Sequence, residues 1–267
     1  MMATANLPQP PAIASRQRCI VVVPCYNEAA RLDLSAFERF FQSENHRSIG
    51  LLFVNDGSVD TTLEILRTFQ ARFPDRVSVL DHQPNRGKAE AVRSGMLQVI
   101  ASQQAAFTGY WDADLATPLD QIPDFLKLLE ERSELNLVFG ARVRLLGRAI
   151  HRQALRHYLG RCFATVASVL LRLPIYDTQC GAKLFRVTPD LAAVLRERFH
   201  SRWIFDVEIL ARFLALHPSE SFHFEKQIYE YPLPVWTDVA GSKVKPTDFL
   251  RAFGELATIY RRHLIRR

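Results

Sequence analysis

The stretch VSVLDHQPNRGKAEAVRSGMLQVIASQQAAFTGYWDADLATP, Val77 to Pro118, decides the fold. It opens on an apolar run (77–80), crosses a polar loop, and continues as KAEAVRSGMLQVIAS with the spacing of a helix. A second apolar run, FTGYW (107–111), ends at two carboxylates, Asp112 and Asp114. Strand, helix and strand in that order make a βαβ unit and a parallel pair. In an extended segment residues two apart point the same way, so the two acids face one spot and repel. Such a pair calls for a cation, unless it is a solvated turn of the kind that Thr117 and Pro118 signal.

The same alternation extends toward the N-terminus. CIVVV (19–23) and GLLFV (50–54) are continuous apolar runs, as expected of strands buried on both faces. LSAFERFFQ (34–42) and VDTTLEILRTFQARF (59–73) have helical periodicity, with Ser58 or Asp60 as the cap of the second. Ligands of such sheets bind at the carboxyl ends of the strands. There this chain places PCYNE (24–28), NDGS (55–58), DHQPNRGK (81–88) and DADLATP (112–118). Each cluster alone reads as a turn; four at successive strand ends converge on one cleft. No GxGxxG follows a strand, and Lys88 is followed by Ala89, which rules out GxxxxGK[ST]. Hydride transfer on a dinucleotide and P-loop chemistry are thereby poor fits.

At 267 residues, 48% hydrophobic and 23% charged, the chain is long and apolar enough for a full α/β core. A formal charge of +6 favours an anionic partner. The four cysteines form neither a CxxC pair nor a zinc spacing and read as free thiols of a reducing compartment. Residues 1–17 read as a disordered lead-in, and 18–267 as one domain whose halves meet near residue 118. The run CFATVASVLL between Arg161 and Arg172 is ten residues, against the roughly 20 a bilayer span needs. The expected location is cytoplasmic, with peripheral attachment to the inner face of the cytoplasmic membrane as a further expectation.

With these pieces in place, VVVPCYNE, VNDGSVDTT, NRGKAEAVRSGM and WDADLATP together resemble the nucleotide-sugar half of a family 2 glycosyltransferase of the GT-A fold. DTQCGAKLF (177–185), RWIFDVEIL (202–210) and VWTDVAGSKVK (235–245) resemble the dolichyl-phosphate glucosyl- and mannosyltransferase branch, the glucosyl type more closely. The resemblance covers roughly residues 18–250. It implies an α/β fold with a Rossmann-like nucleotide half (18–118) fused to an acceptor half (119–267). It also implies an inverting, metal-dependent transfer from a UDP-sugar, UDP-glucose first, to a polyprenyl phosphate. Mg²⁺ or Mn²⁺ would sit on Asp114, with Asp112 facing the ribose or the metal's water. Glu28 resembles the ribose-binding acid, and the backbone near Pro24 and Tyr26 lines the base pocket. Asp56 is expected to meet base or ribose, Asp81 the base, and Lys88 phosphate. In the acceptor half Asp177, Asp206 and Arg142 are the catalytic candidates, and Arg152, Lys183, Trp236 and Lys243 the acceptor-binding ones. The chain departs from the family pattern at Ala141, where serine is frequent, and at Ala182, where a large apolar residue is frequent. No membrane anchor is expected at either end.

Two features of the second half bear on the acceptor. Arg144, Arg148, Arg152 and Arg156 are four apart and would stack on one ridge of any helix, which Gly147 could delay until Ala149. A phosphate or an anionic membrane would relieve that repulsion. A nucleic acid is not the expected partner, since the aromatic interleaving of a strand-binding platform is missing. On a helix Asp206 and Glu208 do not share a face, so at most one enters the cleft. FLRAFGELATIYRRHLIRR (249–267) is apolar on one side and basic on the other, either a core-packed terminal helix or an interfacial one. A hydroxyl acceptor is the alternative within enzymes. A nucleotide-binding module without catalysis would not need Asp112, Asp114, Asp177 and Asp206 together.

Overall fold

A computed structural model describes residues 17–151, 154–218, 221–239 and 246–265. The first half follows the alternation: β1 (Cys19–Cys25), α1 (Leu34–Gln42), β2 (Ile49–Asp56), α2 (Thr62–Arg72), β3 (Val77–His82), α3 (Lys88–Ser102) and β4 (Phe107–Trp111). The second half adds α4 (Ile122–Glu131), β5 (Leu137–Ala141), β6 (Ala149–His151), α5 (Ala154–Leu171), β7 (Ala182–Arg186) and α6 (Pro189–Arg196). It continues through α7 (Phe205–Leu216), α8 (Ser221–Lys226), β8 (Ile228–Pro232), β9 (Val235–Thr237) and α9 (Pro246–Ile259).

Seven strands form one sheet in the order β3-β2-β1-β4-β7-β5-β8. The pairs β3–β2, β2–β1, β1–β4 and β5–β8 are parallel, and β7 runs antiparallel to both neighbours. The twofold alternation of strand side chains splits the core into two layers. Ile20 and Val22 pack with Val92 and Met96 of α3, and Val21 and Val23 with Phe37 of α1 and Phe69 of α2. Both sides are covered, which is why β1 and β2 are apolar without alternation.

The antiparallel β7 positions the site. Because it enters the sheet against the direction of β4, its first residues lie beside the last residues of β4, Ala182 opposite Trp111 and Lys183 opposite Tyr110. The loop that leads into β7 therefore meets the carboxylates that follow β4, and the Asp112 N–H donates to the Gly181 carbonyl at 2.9 Å.

The arginine ridge does not form. Gly147 has φ +80°, and residues 149–151 are a strand, Ile150 pairing with Trp236 in a two-stranded β6–β9 ribbon. The described part of α5 starts at Ala154, and Arg144 and Arg148 lie ahead of the β6 strand, outside that helix. Arg152, Lys243, residues 1–16, Arg266 and Arg267 lie outside the described residues, as does the side chain of Arg156.

Candidate active site

Much of the polar content at the first three strand ends binds loop to loop. The Asn27 N–H donates to Ser58 Oγ at 3.0 Å, the Glu28 N–H to Thr62 Oγ1 at 2.9 Å, and the Val59 N–H to Asn27 Oδ1 at 2.9 Å. Asp60, and not Ser58, serves the start of α2, taking the Thr62 N–H at 3.0 Å and the Ala29 N–H at 3.2 Å. Asp56 corrects its expected role. It is 2% exposed, and its carboxylate takes His82 Nδ1 at 3.0 Å, the Arg86 N–H at 2.9 Å and the Gly87 N–H at 2.7 Å. Burial would raise its pKa, but these donors bring it below the usual carboxylate range. With both oxygens committed inside the fold, Asp56 anchors the loop that leads into α3.

Of the other expected nucleotide-binding residues, Glu28 is buried and its carboxylate is gripped at both oxygens by Arg31, whose charge also reaches Asp114. Asp81 accepts from Asn55 Nδ2 at 2.6 Å at the end of β3. Tyr26 is exposed and Pro24 half-buried at the end of β1.

The fourth strand end opens on a cavity of about 240 Å³ lined by Lys88, Asp112, Asp114, Arg142, Asp206 and Trp236 among others. The two carboxylates therefore do face one space. Lys88, the first residue of α3, lies 2.5 Å from Asp112 Oδ1. Burial would lower the Lys88 pKa, but Asp112 raises it above the ordinary lysine value. Asp114 is raised, first by burial and then by the charge of Asp112, against a 3.1 Å hydrogen bond from the Ala116 N–H. Gly181 permits the arrangement: a Cβ there would lie 2.0 Å from Asp112 Oδ2.

On the acceptor side Arg142 corrects the reading of Asp177. Arg142 Nε and Nη2 donate to the two oxygens of Asp177 at 2.6 and 2.8 Å, and the guanidinium stands 5.3 Å from the Trp236 ring centroid. Burial would weaken the Arg142 charge, but Asp177 more than restores it. Asp177 does not line the cavity; it is bonded to Arg142, which does.

Lys183 is likewise not a surface for an acceptor. It is 2% exposed, and its ammonium donates to the Thr178 carbonyl at 3.0 Å, the Cys180 carbonyl at 2.7 Å and Asp206 Oδ1 at 2.6 Å. The Tyr110 hydroxyl also donates to Asp206 Oδ1. Burial first, and the Asp206 charge next, push the Tyr110 pKa well above its ordinary value, so this hydroxyl keeps its proton. Lys183 and Tyr110 thus orient Asp206 from behind. Glu208 points away, toward Arg212 at 2.7 Å and the Ser201 N–H at 2.8 Å, which bears out the one-in, one-out reading of this helix.

Removing the Lys183 ammonium leaves a nearly buried carboxylate with half its partners. Lys183→Met is expected to cost about 3–5 kcal/mol in urea unfolding. Adding Asp206→Asn should recover much of that loss. A Lys183→Met protein as stable as wild type would contradict the pairing.

Sequence reasoning missed Arg31, Tyr110, Gly181, Arg202 and Trp203, the last three of which line the cavity. Gly181, Arg202 and Trp203 stand inside motifs that were quoted, beside residues that drew attention for their charge. Tyr110 reads as an ordinary aromatic strand residue until the fold brings it to Asp206.

Comparison with known proteins places the chain in a family. The family model described as glycosyl transferase family 2 matches residues 20–191. A dolichyl-phosphate beta-glucosyltransferase of Drosophila melanogaster is 32% identical over 264 residues, covering 92% of this chain and 75% of that protein. One of Homo sapiens is 30% identical over 243 residues, with 85% and 69% covered. Among solved structures, glucosyl-3-phosphoglycerate synthase from Mycobacterium tuberculosis, in complex with Mn²⁺, UDP and glucosyl-3-phosphoglycerate, superimposes with a TM-score of 0.60. It is 16% identical, with 92% of this chain and 80% of that one covered, so its likeness concerns the fold. The α/β sheet with its paired acids after β4 is the GT-A fold, and the chain is a glycosyltransferase belonging to glycosyl transferase family 2.

Proposed function

We propose that this protein transfers glucose from UDP-glucose to a polyprenyl phosphate, with inversion and with a divalent metal. The observation that carries the reading is the lining of the cavity. The acids Asp112 and Asp114 share it with Arg142, Arg202 and the rings of Phe163, Trp203 and Trp236. Hard oxygen donors suit Mg²⁺ or Mn²⁺, which keep waters and take further ligands from substrate phosphates. The raised Asp114 fits this, because it is buried and also shares one space with Asp112, with Lys88 paired to Asp112 alone. Asp114 and Asp112 would hold the metal, which when bound supplies Lewis-acid stabilisation of the departing diphosphate.

The remaining chemistry belongs to the chain's own residues. Lys88 adds positive charge where the diphosphate leaves. Arg142, held in place by its two-point bond to Asp177, presents a fixed cation to an anionic acceptor, and the aromatic rings offer apolar contact to its isoprenoid. A phosphate monoester has a second pKa of about 6, so at pH 7 its attacking oxygen is already largely ionised. Asp206 then orients the acceptor and need not remove a proton. The names of the relatives point the same way, and their beta product is the inverted form of an alpha-linked sugar nucleotide.

Mass spectrometry of lipids after incubation with membranes and several sugar nucleotides tests this. Expected is a polyprenyl phosphate heavier by one hexose with UDP-glucose, dependent on added metal. A hexose appearing instead on a diacylglycerol or a soluble sugar would contradict it.

A further inference from the structure

We propose that the outward face of α5, with the exposed part of α9 beside it, docks this protein on an anionic lipid bilayer; the proposal rests on the lipid-phosphate reading above. Tyr158, Cys162, Thr165, Val166 and Val169 recur at spacings of three and four and share one side of the helix. All are exposed, Tyr158 at 69% and Val169 at 70%. This side carries no charged residue from Tyr158 to Val169. The helix's arginine in that span, Arg161, is turned inward, bonded to the Tyr176 carbonyl with its guanidinium 3.5 Å from the Tyr176 ring centroid. The Thr165 hydroxyl donates back to the Arg161 carbonyl at 2.9 Å. A helix face left to water ordinarily carries charge, and a contiguous apolar one marks an interaction surface.

Charge and continuity choose the partner. Arg172 is exposed just past the end of α5, and Arg261 and Arg262 are exposed beyond α9, a basic fringe suited to anionic headgroups. The two helices pack together through Phe163 and Phe253, edge to face at 5.9 Å, with Phe253 and Tyr260 still partly exposed. The inner side of the same pair reaches the active site, since Gly160, Phe163 and Ala252 line the cavity. A bilayer under the outer face would hold a membrane-borne acceptor one helix away from Asp206. No helix among the described residues is long and apolar enough to cross a membrane, so the geometry is that of a helix lying on the surface.

Vesicle co-sedimentation without donor or acceptor reads docking apart from chemistry. Wild type should sediment with vesicles containing phosphatidylglycerol, less so as salt rises, and poorly with phosphatidylcholine alone. Val166→Glu combined with Val169→Glu should weaken that partition by about tenfold or more, and Val169→Leu should preserve it. Arg172→Glu with Arg261→Glu should weaken it at low salt only. The rate with a short, water-soluble polyprenyl phosphate should stay at the wild-type level in the Val166/Val169 double variant, which also controls for folding. Wild-type sedimentation of that variant would overturn the proposal. So would a lipid-free dimer that it dissociates, because the face would then belong to a second copy of the chain. A wild type that binds vesicles yet transfers nothing to the short acceptor would sink the proposed function and leave docking standing.

Discussion

Gly181→Ala is expected to lower kcat by about 10²-fold or more while the protein remains folded, the scale of loss that an ångström of misplacement produces. A Cβ at this position would stand 2.0 Å from Asp112 Oδ2 and 2.2 Å from its Cγ. Neither atom can retreat easily, because the Asp112 N–H is bonded to the Gly181 carbonyl and its Oδ1 is paired with Lys88. The carboxylate must swing out of the space it shares with Asp114. Steady-state kinetics with a metal titration would show both a lower kcat and a weaker metal requirement. Gly254→Ala is the control, since nothing lies within 4 Å of a Cβ there and alanine favours a helix. Wild-type kcat in Gly181→Ala would mean that Asp112 has no fixed part in the reaction.

Asp114→Asn should be more severe, with transfer falling on the order of 10³-fold and the metal dependence of UDP affinity disappearing. The amide oxygen can still accept the Ala116 N–H that Asp114 Oδ1 takes at 3.1 Å, so the turn is preserved and the loss is chemical. The sign of the pH effect follows from the raised carboxyl. Burial and Asp112 make Asp114 hold a proton more tightly than a free aspartate, so metal affinity should weaken as the pH falls through that raised value. Isothermal calorimetry of UDP with and without metal reads both. Unchanged metal-dependent binding in Asp114→Asn would remove Asp114 from the metal.

The nucleotide half was legible because its strands are buried on both faces and its helices are periodic, so β1 to β4 fall within a residue or two of the apolar runs. The four loops do bond to their neighbours, but only residues of the third and fourth, Lys88 and then Asp112, Asp114, Ala116 and Thr117, line the cavity. Which polar residues face outward was not legible: Asp56 looks available in NDGS, yet His82 and two backbone N–H groups about 30 residues away consume it. Lys183 misleads for a related reason. A lysine in a strand covered on both faces must be paired, and its partner Asp206 lies 23 residues on, beyond any local signal. The arginine spacing suggested a ridge because Arg144, Arg148, Arg152 and Arg156 fit a helical period. Pairing of Ile150 with Trp236 overrode that period, a tertiary contact no local pattern announces.

A single-turnover comparison of Asp206→Asn and Arg142→Lys across pH, with a polyprenyl phosphate acceptor, tests the phosphate-acceptor claim most directly. Asparagine at 206 keeps an oxygen for Tyr110 and Lys183, and lysine at 142 keeps the charge but loses the two-point grip on Asp177. Expected is a modest, pH-independent loss in Asp206→Asn and a larger one in Arg142→Lys, because the nucleophile arrives ionised and needs a placed cation. A loss of about 10²–10⁴ in Asp206→Asn, the usual worth of a general base, recovered as the pH rises and with little effect of Arg142→Lys, would contradict it and make the acceptor a hydroxyl.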